Sequence, residues 1–233
     1  MHPFKSIPTR LIFFACVLSV FACPAAPAQE KEKEKFDVKA NYEKREYRIP
    51  VRDGVKLFTS VYLPKDASRK YPIMFSRTPY TVAPYGEDKY KGLLGPSEHF
   101  MREGYIFVYQ DVRGKFLSEG EYMDVRPYKP QKSSPTDIDE STDTYDTIDW
   151  LIKNIPNHNG RVGMWGISYP GFYTSMGLLG AHPALRAASP QAPIADWFIG
   201  DDWHHNGTLF TAHTLNFFVS FGLPRPKPTT EWA

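Results

Sequence analysis

The chain opens on an apolar run, Leu11 to Ala22 (LIFFACVLSVFA). The basic residues Lys5 and Arg10 precede it, and small residues ending Ala26-Pro27-Ala28 follow it. Basic, then apolar, then small is the order of a secretory signal peptide, which we place over residues 1–28 with the cut after Ala28. The run is short for a bilayer span. An N-terminal membrane anchor and a lipoprotein site at Cys23 are the alternatives, the latter with an unusual Phe21 two positions ahead. Residues 29–40 (QEKEKEKFDVKA) show no apolar period, so 29–41 is expected to be a charged linker.

From Tyr42 onward the pattern is that of a packed domain. Glu46 to Val51 and Val55 to Leu63 read as strands around the turn Arg52-Asp53-Gly54. In the second, Val55, Leu57, Thr59, Val61 and Leu63 alternate with Lys56, Phe58, Ser60 and Tyr62. Pro72 to Arg77 is a short apolar strand, and Pro96 to Glu103 a helix stopped by Gly104. Tyr105 to Tyr109 (YIFVY) is apolar at consecutive positions, as in a strand buried on both faces of a parallel sheet. A polar stretch, 115–140, follows. A helix then starts at Ser141 or Thr142 and places Tyr145, Ile148, Leu151, Ile152 and Ile155 on one face. Asn159-Gly160 is a turn, Arg161 to Ile167 a second buried strand, 170–180 a helix, and Leu185 to Ala188 the opening of another strand. This strand–helix alternation predicts an α/β core over 42–194. From Ala195 the chain is rich in Trp and Phe and ends proline-rich, so 195–233 is expected to begin a helical cap.

Composition narrows the function. At 42% hydrophobic and 15% aromatic, the 233 residues can bury one sizeable core. The net charge is +2; loss of Lys5 and Arg10 with residues 1–28 takes the 28 basic side chains to 26, equal to the 26 acidic ones. No nucleic-acid or anionic-surface partner is therefore expected. Both cysteines, Cys16 and Cys23, lie within 1–28, so the exported domain is expected to hold no disulfide.

One motif carries chemistry. Gly166-Ile167-Ser168-Tyr169-Pro170-Gly171 stands between a buried strand and a helix. A serine at that junction projects on a tight turn, and the free N–H groups of the following helix point at the same place. The backbone N–H of Tyr169 can then receive the charge of a tetrahedral intermediate. The second glycine comes one position later than in G-x-S-x-G, with Pro170 in its place; proline is harmless in a first helical turn. The bland alternative is a strand–helix turn with an ordinary N-cap serine.

The segment GMWGISYPGF, with RDGVKLFTSVYLP (52–64), SRTPY (76–80), QDVRG followed by SEG (110–120) and YDTIDWL (145–151), resembles the X-prolyl dipeptidyl-peptidase-like family. That family includes cocaine esterase and the α-amino acid ester hydrolases. The resemblance runs from about Tyr42 to Phe210 and implies an α/β-hydrolase fold. It implies that Ser168 is the acylated nucleophile, that Tyr169 gives its backbone N–H to the oxyanion, and that Tyr80 gives its phenolic O–H as the second donor. A packed loop tyrosine is the other reading of Tyr80.

Asp111 and Arg113 lie near a strand end and are expected to form a structural ion pair that fixes a loop; facing the site is the alternative. Asp201, Asp202 and Trp203 head the densest polar cluster, DDWHHN. In the amino-ester branch, carboxylates bind a substrate's α-ammonium group, so Asp201, Asp202 and Trp203 are candidate substrate-binding residues; a hydrogen-bonded turn at the cap base is the equal alternative. No second cluster supports a metal, and no cofactor is expected.

A serine hydrolase of this kind needs an acid and a histidine after further strands. His204, His205 and His213 come too soon, so the triad Asp and His are expected beyond residue 233, and the chain is expected to be the N-terminal portion of a longer hydrolase. Its expected partner is a small-molecule ester, an amide or a short X-Pro peptide; a homo-oligomer stays open. The competing reading is a truncated or decayed copy without catalysis of its own.

Overall fold

The computed structural model describes residues 35–221, 225 and 227–232. The expected signal peptide with its cut after Ala28, and the alternative site at Cys23, lie outside them. Within Phe36–Ala233 the elements run α1 (Val38–Asn41), β1 (Tyr42–Pro50), β2 (Lys56–Pro64), β3 (Tyr71–Thr78), α2 (Glu98–Arg102), β4 (Ile106–Asp111), α3 (Glu140–Asn154), β5 (His158–Ile167), α4 (Tyr169–Leu178), β6 (Leu185–Gln191), β7 (His204–His205), β8 (Thr208–Leu209) and α5 (Thr211–Phe221). None of the described helices is long and apolar enough to cross a membrane.

Six strands form one sheet in the order β1-β2-β4-β3-β5-β6. The pairs β1–β2 and β2–β4 are antiparallel, and β4, β3, β5 and β6 run parallel. This is the α/β-hydrolase arrangement. Each parallel strand needs a crossover, which α3 and α4 supply around β5.

Consecutive apolar residues make these strands because the sheet is covered on both faces. Val61, Ile73, Phe75, Ile106 and Val108 meet Ile148 and Leu151 of α3 and Phe172 and Tyr173 of α4. Their neighbours Tyr62, Met74 and Phe107 point the other way, against Val38, Leu94 and Met101. Each such side chain, fully buried, contributes about 1.5–3 kcal/mol. The alternation in β2 therefore divides two buried sets, not core from solvent.

Four details differ from the sequence reading. Val38 is buried and opens a helical turn capped by Asp37, so the end of the charged segment belongs to the core. Helix α3 begins earlier, at Glu140, because Asp139 accepts from the Thr142 N–H while Thr142 Oγ1 accepts from the Asp139 N–H. Strand β5 is buried on one face only: Val162 and Met164 enter the core, whereas Trp165 lines a cavity of about 440 Å³ with Met74, Phe100 and Ala187. Before α5, the cap segment first makes the hairpin β7–β8.

Candidate active site

Ser168 stands where β5 gives way to α4. Its backbone (φ 61°, ψ −123°) is one that L-residues rarely adopt, and holding it costs about 1–3 kcal/mol. Two glycines make the turn fit. A Cβ on Gly166 would lie 2.2 Å from the Pro170 carbonyl oxygen, and one on Gly171 would lie 2.5 Å from that of Gln191. The Ser168 N–H donates to Gln191 O at 3.0 Å, and Ser168 O receives the Phe172 N–H at 3.0 Å. These bonds hold the turn from both sides and leave the side chain exposed.

Tyr169 is the first residue of α4, where an N–H has no acceptor within the helix. Its side chain is buried, and its hydroxyl donates to Asp124 Oδ1 at 2.6 Å and accepts the Val125 N–H at 2.7 Å. Tyr122 Oη lies 2.7 Å from the same oxygen and 3.1 Å from Asp124 Oδ1. Val125 has φ 38°, rare for a β-branched residue, and that geometry delivers its N–H to Tyr169. Neither Tyr122 nor Asp124 was singled out in the sequence. They lie in the aperiodic stretch between β4 and α3, where only proximity in space reveals a partner.

Tyr80, beyond the end of β3, packs its ring edge-on against that of Tyr169 at 6.2 Å. Both rings also touch Phe221 of α5. Burial first, and then the charges of Asp202 and Asp124, push the Tyr80 phenol above its ordinary value, so at neutral pH it is a protonated donor. The loop after it is anchored by Asp111, whose carboxylate accepts from the Val82 N–H at 3.0 Å and from Tyr85 Oη at 2.9 Å. Thr81, between Tyr80 and this anchor, has φ 110°.

Asp111 and Arg113 do not pair with one another. Arg113 forks onto Asp143 (2.7 and 3.0 Å) and onto Asp53 (2.7 and 3.2 Å), tying the β1–β2 turn to α3. β4 ends at Asp111, and Arg113 already stands in the turn that follows, which carries its side chain to Asp53 and Asp143.

Ser168 lines a cavity of about 520 Å³ with Ala192 to Asp196 and Ile199 to Asp202. Asp201 and Asp202 also border a second cavity of about 710 Å³, with His205 and His213. The two carboxylates differ. Asp201 accepts from the N–H groups of Ala195 and Asp202, at 2.7 and 2.8 Å, and so builds the turn. Asp202 is exposed, and no described residue hydrogen-bonds its carboxylate. Trp203 lines neither cavity. It is 6% exposed, stacked on Trp197 at 5.4 Å and packed on Phe217 and Phe218, so the fold gives it a packing place and not a substrate-facing one. Among the described residues no histidine hydrogen-bonds Ser168; His204 instead meets Trp197 O, and His213 packs on Trp203.

An exposed serine on a cavity wall, at the head of a helix whose first N–H groups are free, can attack an acyl carbon and hold the resulting oxyanion. Comparison with known proteins finds hydrolases. The sequence pattern of the X-Pro dipeptidyl-peptidase (S15) family matches residues 53–225. Cocaine esterase from Rhodococcus sp. (strain MB1 Bresler) is 30% identical over 179 residues, which are 75% of this chain and 28% of that protein. The solved structure of a selenomethionine-labelled α-amino acid ester hydrolase matches with a TM-score of 0.71 at 40% identity, covering 88% of this chain and 34% of its own. An aminopeptidase from a marine sediment archaeon, Thaumarchaeota archaeon, matches with a TM-score of 0.71 at 38% identity over the same shares. The chain thus spans about a third or less of these relatives.

Proposed function

The chain belongs to the X-Pro dipeptidyl-peptidase (S15) family of hydrolases, and from that premise we propose that it carries the nucleophile of a serine hydrolase that cleaves small esters or amides through an acyl-enzyme on Ser168. The observation that carries this reading is the strained, exposed Ser168 at the head of α4, on the wall of a cavity. The Ser168 hydroxyl adds to the substrate carbonyl, the Tyr169 N–H and the Tyr80 O–H receive the negative oxygen, and the tetrahedral intermediate expels the alcohol or amine. The general base of such a reaction, a histidine, takes the serine proton and returns it to the departing alcohol or amine.

Asp202 supports an acyl group that bears an α-ammonium. No described residue hydrogen-bonds its carboxylate, which borders the cavity that holds Ser168 and acts electrostatically on Tyr80. Both α-amino acyl esters and X-Pro peptides present such a cation; we assign the ester. Export with cleavage after Ala28 completes the proposal.

A fluorophosphonate probe tests it, since it phosphonylates only an activated serine. The full-length protein is expected to label and its Ser168→Ala variant not to. Equal labelling of the two would refute the assignment.

A further inference from the structure

The residue after the nucleophile is held at two points. Its backbone begins α4, and its phenol oxygen, far out on the side chain, is saturated by three partners: Asp124 as acceptor, the Val125 N–H as donor, and the Tyr122 hydroxyl. A tyrosine buried only for its area has no need of this, because phenylalanine would fill the same space. The hydroxyl instead ties the head of α4 to the irregular segment between β4 and α3, and Val125 keeps its rare backbone conformation at that contact. On the ring between the two attachments Tyr80 packs edge-on at 6.2 Å.

Two anchors matter because the Ser168–Tyr169 peptide plane aims the N–H. With the phenol fixed, rotation of that plane must drag a buried ring through Tyr173, Phe172 and Phe221, which pack on it at 5.1, 5.9 and 5.6 Å. With the phenol released, only the ring packing resists that rotation and the aim of the N–H loosens; a hydrogen bond weakens steeply once its angle drops below about 120°.

We propose that Asp124, assisted by Tyr122, is a positioning residue for the oxyanion hole: by clamping the Tyr169 phenol it sets the direction of the Tyr169 backbone N–H and the seat of the Tyr80 ring. This rests on the acyl-enzyme reading of Ser168. Asp124 touches no reacting atom; it acts through Tyr169.

The test uses the full-length protein and three variants, Asp124→Ala, Tyr169→Phe and Asp124→Asn, with folding checked by circular dichroism. Tyr169→Phe keeps the ring and its packing, so it carries the test even if Asp124→Ala unfolds. Loss of a whole oxyanion donor costs on the order of 100- to 1,000-fold in rate, and misdirection of one is expected to slow fluorophosphonate labelling ~10- to 100-fold. Phenylboronic acid, which forms a tetrahedral adduct on the serine, is expected to bind more weakly by the same factor. Asp124→Asn retains an acceptor oxygen and is expected to restore most of the rate. The double variant Asp124→Ala/Tyr169→Phe is expected to label no slower than either single one, because both break one link. If the parent labels and folded Tyr169→Phe labels and binds phenylboronic acid equally well, the proposal falls alone. Additive losses in the double variant also overturn it. If the parent itself fails to label, the acyl-enzyme reading falls and takes the proposal with it.

Discussion

Asp111 offers a stability measurement that can be worked through in advance. It ends β4 with no exposed surface, and its carboxylate is held by one N–H and one phenol, with no cation in salt-bridge contact among the described residues. Burial pushes its carboxyl up from 3.8 to about 7, against the weaker opposing pull of those hydrogen bonds and of Arg225. Between these values the folded protein holds a proton that the unfolded chain has released. Stability therefore falls as pH rises through this window. At about 1.36 kcal/mol per pH unit, the rise from 3.8 to about 7 amounts to roughly 4 kcal/mol lost by pH 8. Asp111→Asn keeps an acceptor for the Val82 N–H, gives Tyr85 Oη a donor, and removes the titration. The expected result is that the variant is more stable than the parent by about 2–4 kcal/mol near pH 8 and that this advantage vanishes near pH 4. Urea unfolding of both proteins across that range measures it. Differences between the two profiles are what count, because Asp66 and Asp137, held near 2 by hydrogen bonds, add an opposite slope at low pH to both. Parallel profiles would refute the reasoning: Asp111 would then be ionised in the folded protein at no cost.

Three further outcomes follow from the site. Gly166→Ala, with its methyl 2.2 Å from the Pro170 carbonyl oxygen, is expected to lower the melting temperature and abolish fluorophosphonate labelling, which calorimetry and a labelling gel check. Tyr80→Phe keeps the ring contacts but removes the proposed donor; kcat on an activated ester should fall about 100-fold with KM little changed. Asp202→Asn should raise KM about 10-fold for α-amino acyl esters and leave the matching des-amino esters unaffected, a split that steady-state kinetics with the paired substrates reads directly.

Much of this architecture was legible in the residues. The apolar run Tyr105–Tyr109 announced a strand buried on both faces, and β4 is one. Gly166, Ser168 and Gly171 announced the strand–helix turn, because only glycine fits where a carbonyl approaches within 2.5 Å. These are local matters, decided by neighbours a few positions away in the chain. Even local signals had limits: Ser141 and Thr142 both read as caps, yet Asp139 starts α3 because it completes a reciprocal pair with the third residue of the helix.

Other features depend on residues far apart in sequence that no pattern within the chain brings together. Asp201 and Asp202 are indistinguishable as letters; the fold spends the first on the Ala195 N–H and leaves the second open to the cavity. Trp203, set beside them, is withdrawn onto Trp197. Arg113 finds Asp53 and Asp143 rather than Asp111, and Tyr169 finds Asp124 across 45 residues. Spacing along a strand or helix fixes which way a side chain leaves its own backbone. Which partner it meets depends on how the elements pack, and that is set by the sheet order and by the burial of both its faces.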